Sequence, residues 1–138
     1  MAMASMKHSF KSDSAFTLVE IMIVVAIIAL LASIAVPNFL RARKRSQATR
    51  ILEDLRIIDS AIDQYAIENN KSGGATVSWT DIQVYLKKGS VLYNSQGMDM
   101  LGNVYIGFSV DTIPKLRSTT FTKLSDVAPS DFWSPYYP

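Results

Sequence analysis

Residues 16–40 read Phe-Thr-Leu-Val-Glu-Ile-Met-Ile-Val-Val-Ala-Ile-Ile-Ala-Leu-Leu-Ala-Ser-Ile-Ala-Val-Pro-Asn-Phe-Leu, a run of 25 residues of which 20 are apolar and one, Glu20, is charged. A helix built from this run has no polar face, and the run is too long for an ordinary strand. At about 1.5 Å of rise per residue it reaches roughly 37 Å, enough to cross a hydrocarbon core about 30 Å thick. A membrane-spanning helix is therefore the element around which the rest of the chain has to be arranged.

Toward the N-terminus, residues 1–15 are polar and lightly basic, with Lys7, His8 and Lys11 set against Asp13. They show neither apolar periodicity nor turn chemistry and read as a leader; Met1, Met3 and Met6 each offer a start for it. Toward the C-terminus, Pro37 removes a backbone donor and clashes with the preceding turn, so a kink or local break is expected there without ending the helix. From Ala48 onward, Ile51, Leu52, Leu55, Ile58, Ile62 and Tyr65 recur at steps of mostly three and four, the stripe of an amphipathic helix. Asn69, Asn70, Ser72, Gly73 and Gly74 supply its stop. One long helix over residues 16–72 is expected, apolar all round in its first half and amphipathic in its second.

Residues 73–138 change to short β-branched and aromatic segments between turn residues. Residues 80–83 have the spacing of a capping box and should open a short helix through Leu86 and Lys87, stopped by Gly89. Residues 104–110, after the Gly102-Asn103 turn signal, form the better strand candidate and residues 119–124 the weaker one. The expected fold class is α+β, a long N-terminal helix packed on a small antiparallel β-containing head. So small a head has little independent stability and should lean on the stripe from Ile51 to Tyr65.

The chain has 138 residues, 14 Lys or Arg against 12 Asp or Glu, no cysteine and one histidine, His8. With the apolar run subtracted, too little material remains for a large enzyme. No disulfide, thiolate nucleophile or Cys-based zinc site can form. Once the leader is gone no imidazole remains either, so no catalytic residue, metal site or cofactor is expected. Asp99, Asp111, Asp126 and Asp131 lack the dense alternating spacing of a Ca2+ loop and read as solvated turn residues. Trp79, Trp133, Tyr136 and Tyr137 are read as core of the head.

The junction Ala15-Phe16-Thr17-Leu18-Val19-Glu20, followed by the apolar run and Pro37, resembles the N-terminus of the type IV pilin and pseudopilin family. The resemblance is close over residues 15–37 and architectural beyond, with residues 99–105 loosely similar to a Gly-Asn turn of major pseudopilins. It implies that a prepilin peptidase cuts between Ala15 and Phe16 and that the new amine of Phe16 is N-methylated. It further implies that Glu20 and Pro37 serve subunit assembly, and that the chain polymerises as a homo-oligomeric filament with the help of an inner-membrane assembly platform and an assembly ATPase. The precursor would wait in the inner membrane, and the head would end in a periplasmic or cell-surface filament. Ala15 stands where the family most often has glycine, and fits a site chosen for lack of bulk. The missing C-terminal disulfide points toward pseudopilins and short pilins.

A carboxylate inside an apolar span costs roughly 2.5 to 3.5 kcal/mol on insertion scales, so Glu20 needs compensation. It either meets the Phe16 amine of a neighbouring subunit, or sits at the end of the span and reaches head groups, or caps its own helix amines four residues back. Arg41, Arg43, Lys44, Arg45 and Arg50 form a basic block, and Glu53, Asp54, Asp59, Asp63 and Glu68, against Arg56 alone, an acidic one. The basic block is expected to face the acidic block of a staggered neighbour, with Arg43, Lys44, Arg45, Asp59 and Asp63 as the contact residues. Membrane lipid is a second partner for the cations. Nucleic acid is not expected, because stacking aromatics are not interleaved with them. By the positive-inside rule these cations would place the head in the cytoplasm, against the family orientation; the junction motif takes precedence. The rival reading is a secreted binding module whose signal peptide is cut after Ser33-Ile34-Ala35, or one left anchored by a single span.

Overall fold

The computed structural model describes residues 15–138; all but the last residue of the expected leader lie outside it. The described chain falls into two compact units, one ending at Pro37 and one comprising Asn38–Pro138.

Helix α1 runs over Leu18–Glu68, 51 residues, and continues through Pro37. In the first unit every side chain from Phe16 onward is exposed except Ala32, which is partly covered. So much bare aliphatic surface is stable in lipid or against other helices, not in water. Among the described residues, α1 is the one helix long and apolar enough to cross a membrane.

In the second unit α1 presents Ala48, Ile51, Leu55, Ile58 and Ile62 to the head, all essentially fully buried, as the three-and-four spacing requires. Each of the four Ile and Leu side chains among them contributes about 1.5–3 kcal/mol by leaving water. Ile82, Leu116, Leu124 and Trp133 meet them from the head. Trp133 lies fully inside because its indole Nε1 donates to the Ala128 carbonyl at 3.0 Å, which removes the cost of burying the donor. Tyr136 is buried as well, whereas Trp79 is half-buried against Phe108 and Tyr137 stays exposed beside Phe121.

The head departs from the expected β architecture. Among the described residues its secondary structure is four short helices, α2 (Trp79–Gln83), α3 (Val91–Asn94), α4 (Ser118–Leu124) and α5 (Ser130–Trp133). Isolated antiparallel bridges join Met98 to Val104, Ile106 to Lys115, and Ser109 to both Thr76 and Thr112. The expected strand over 104–110 pairs one residue at a time because Gly107, inside it, takes φ 83 and turns the backbone away from a ladder. The expected strand over 119–124 is helix: Thr120 and Leu124, four residues apart, are buried, a helical and not an alternating period. The capping box lies two residues earlier than the spacing suggested, at Ser78, whose backbone N–H donates to the Asp81 carboxylate at 2.8 Å.

Candidate functional site

The start of α1 is built from two side chains. Thr17 precedes the first helical residue, and its Oγ1 accepts from the Glu20 backbone N–H at 3.2 Å. Glu20 returns the bond: its Oε2 accepts from the Thr17 N–H at 2.7 Å and from the Thr17 hydroxyl at 3.0 Å. A Thr followed three residues later by Glu is a capping box, in which two orphan amides of the helix end are satisfied reciprocally. Among the described residues no cation pairs with Glu20, so in the single chain the carboxylate is held by Thr17 at its own helix end. The spacing of Thr17 and Glu20 is the sequence signal that marks Thr17, which sequence reasoning passed over. Phe16 and Ala15 lie exposed just ahead of the helix, and a groove of about 350 Å3 runs beside Phe16, Glu20, Ile21 and Val24.

The basic and acidic blocks are partly spent inside the second unit. Lys44 Nζ bonds Asp126 Oδ2 at 2.9 Å, and that bond holds the Asp126 carboxyl below its ordinary range. Arg45 donates to the Val127 carbonyl and lies with its guanidinium 4.4 Å from the centre of the Phe132 ring. Arg50 pairs with Asp54 at 3.3 Å, and Arg56 with Glu53 at 3.6 Å. Asp54 is buried; it also accepts from the Tyr105 hydroxyl, and burial pushes its carboxyl up. Asp59 accepts from the Tyr136 hydroxyl at 3.2 Å and is pushed up by burial too. Two tyrosines of the head thus seat on two carboxylates of α1. Arg41, Arg43 and Asp63 form no ion pair among the described residues and are exposed.

Asp99, read from the sequence as a solvated turn residue, is buried and organises its loop. Its Oδ1 accepts from the Leu101 and Asn103 amides at 2.8 and 2.9 Å, and its Oδ2 from the Thr120 hydroxyl. Asn103 closes the set by donating to Thr120 Oγ1 at 2.9 Å. An Asp that bonds backbone amides two and four residues on is a local turn device, and only its burial under α4 separates it from an exposed one. Asp126 is likewise an ion-pair partner and not merely a turn residue. No group of three His, Cys, Asp or Glu side chains arranged to hold a metal occurs among the described residues.

Comparison with known proteins bears on this N-terminal geometry. Residues 10–36 match the prokaryotic N-terminal methylation motif. The chain is similar to the type IV major fimbrial protein FimA of Dichelobacter nodosus, 38% identical over 65 residues, which is 47% of this chain and 42% of that protein. It is 33% identical over 61 residues to the type II secretion system core protein G of Aeromonas hydrophila, covering 44% of this chain and 43% of the relative. It is 42% identical over 60 residues to the type IV wide pilus major component PilA4 of Thermus thermophilus, covering 44% and 46%. The matches thus span less than half the length of each of these relatives. No solved structure matches the chain.

Proposed function

We propose that this chain is a structural subunit of a filament of the type IV pilus or type II secretion pseudopilus kind, and that it catalyses no reaction. The observation that carries the reading is a helix that starts on a methylation motif and then exposes an apolar surface on all sides for some twenty residues. Such a surface must be covered twice in the life of a subunit, first by lipid and then by neighbouring helices. Because lipid tails are as apolar as leucine, the exchange is driven by close packing and by polar pairs more than by the hydrophobic effect. Residues 1–15 would be the leader, cut between Ala15 and Phe16 by a prepilin peptidase. Methylation of the Phe16 amine would follow.

Glu20 supplies the polar pair. Its capping box with Thr17 satisfies the carboxylate while the subunit is alone; in the filament the cationic Phe16 amine of a neighbour would replace a hydroxyl with a full charge. An assembly platform and an ATPase in the inner membrane would do the work of extraction. The head, residues 73–138, would then lie on the periplasmic or outer side.

The reading is tested on the mature protein itself. Intact mass and N-terminal sequencing should find a chain beginning at N-methylated Phe16, and Ala15→Trp should abolish processing by crowding the scissile bond. A mature chain beginning at Val36 would identify a conventional signal peptide and end the filament reading; an uncut chain would identify a simple anchored protein.

A further inference from the structure

The intramolecular bonds of the second unit remove Lys44, Arg45, Arg50, Asp54 and Asp59 from the charges available to a partner. What remains on α1 is more selective than two blocks. Arg43 and Asp63 are twenty residues apart, about five and a half helical turns, so their side chains leave α1 on nearly opposite sides about 30 Å apart along the axis. Each has an exposed apolar residue one turn away on its own side, Phe39 at 67% exposure beside Arg43 and Ile67 at 80% beside Asp63. Arg41 lies 22 residues from Asp63, close to six whole turns, and so shares its side.

The Asp63 side is also a concavity. Asp63, Ala66, Ile67, Lys71, Val110 and Asp111 line a groove of about 520 Å3, with two carboxylates against one ammonium. Asp111 reaches it from a turn in which its own φ is 60, and its Oδ2 lies 2.6 Å from where a Cβ on Gly73 would be, so only glycine there leaves the carboxylate its place. A lipid phosphate would suit Arg43 but not this acidic groove. A patch that joins a cation to a large apolar side chain suits it, and Phe39 with Arg43 is one on this same chain.

We propose that the groove at Asp63 and Asp111 receives the Phe39 and Arg43 side of a second copy shifted along the helix by about 30 Å. The inference rests on the filament reading and names the contact within it. Because the two patches face opposite ways, the contact is head-to-tail: it cannot close into a two-fold dimer and propagates along an open row.

The chain has no cysteine, so introduced thiols are the only ones present. With Arg43→Cys/Asp63→Cys as the sole subunit in a cell that assembles the filament, mild oxidation of sheared filaments should give a ladder of disulfide-linked multimers, while each single variant stays largely monomeric. Arg43→Glu should lose most of the sheared filament, Asp63→Arg should restore it, and Arg41→Glu should not be rescued by Asp63→Arg. If the unmodified chain yields filaments but the ladder is absent and the reversal is not rescued, the surface is wrong and the filament reading stands. If single-cysteine variants give dimers as readily as the pair gives a ladder, the contact is two-fold and the surface is wrong. If the unmodified chain yields no filaments, both readings fall together.

Discussion

Glu20 and Thr17 show how one carboxylate can be inexpensive in one state and decisive in another. Inside the single chain the Glu20 carboxylate accepts two bonds from Thr17, while the Glu20 amide donates a third to the Thr17 hydroxyl, so part of the cost of the charge in an apolar span is met locally. Two variants separate that local role from one between subunits. Thr17→Val removes the hydroxyl and weakens the helix end by about 1 kcal/mol, the usual worth of a cap, and should leave filament yield close to normal. Glu20→Val should insert into membranes at least as well as the natural chain, because a charge in the first turn of the span, of a kind that costs up to about 2.5 to 3.5 kcal/mol at the centre of a span, disappears, yet fail to assemble when it is the sole subunit. Equal and mild effects of the two on sheared filament would restrict Glu20 to capping. The position and charge of Glu20 were plain in the sequence. That Thr17 holds it was legible as a Thr-x-x-Glu spacing, hidden only because both residues also belong to a longer motif.

At the scale of elements, α1 was readable because it repeats one signal many times: unbroken apolarity and then a stripe at steps of three and four. The head gave weaker signals, since each of its pieces is four to seven residues long, and a short apolar run fits helix and strand equally well. Residues 118–124 form a helix because Thr120 is drawn inward by Asp99, a partner 21 positions away that no local pattern reveals. The loop at 99–103 is correspondingly sensitive. Asp99→Ala leaves two amides and a buried hydroxyl without their acceptor and should cost about 3 kcal/mol of unfolding free energy, given about 1–3 kcal/mol per unsatisfied group and partial relaxation. Asp99→Asn keeps one acceptor for the two amides and should lose less. Chemical denaturation of the detergent-solubilised chain, followed through Trp133, checks the order; equal stability of Asp99→Ala and the natural chain would show that water replaces the carboxylate.

Over the whole molecule, the head is seated on α1 through apolar burial and two tyrosine-to-carboxylate bonds, at Asp54 and Asp59. Both carboxyls have folded-state values raised by burial. Their contribution to stability is therefore fully present below the unfolded value of about 3.9 and is lost as pH rises through the raised folded value. Asp126, lowered by Lys44, acts in the opposite sense, but that pair is exposed and screened. On account of these two groups the melting temperature should fall as pH rises from about 3.9 through their raised folded values, and Asp54→Asn, which keeps an acceptor for Tyr105 without the buried charge, should flatten that slope. An unchanged slope in Asp54→Asn would place the pH dependence elsewhere. None of this coupling was visible in the sequence, where Asp54 and Asp59 counted only as members of an acidic block, because burial by residues 51 and 77 positions away leaves no local trace.

The uninterrupted course of α1 through both units also has a mechanical side. A pull applied along the chain runs through the axial hydrogen bonds of one helix, while the head lies beside that path, fastened at Lys44 and Arg45 near one end of its contact and at Tyr85 on Glu68 near the other. The link with least reserve is at Ser33, whose carbonyl faces Pro37 and so lacks the amide that each neighbouring carbonyl engages. An overloaded subunit would yield there by local uncoiling, lengthening by close to 2 Å per residue as helix gives way to extended chain, while the folded head stays out of the line of force.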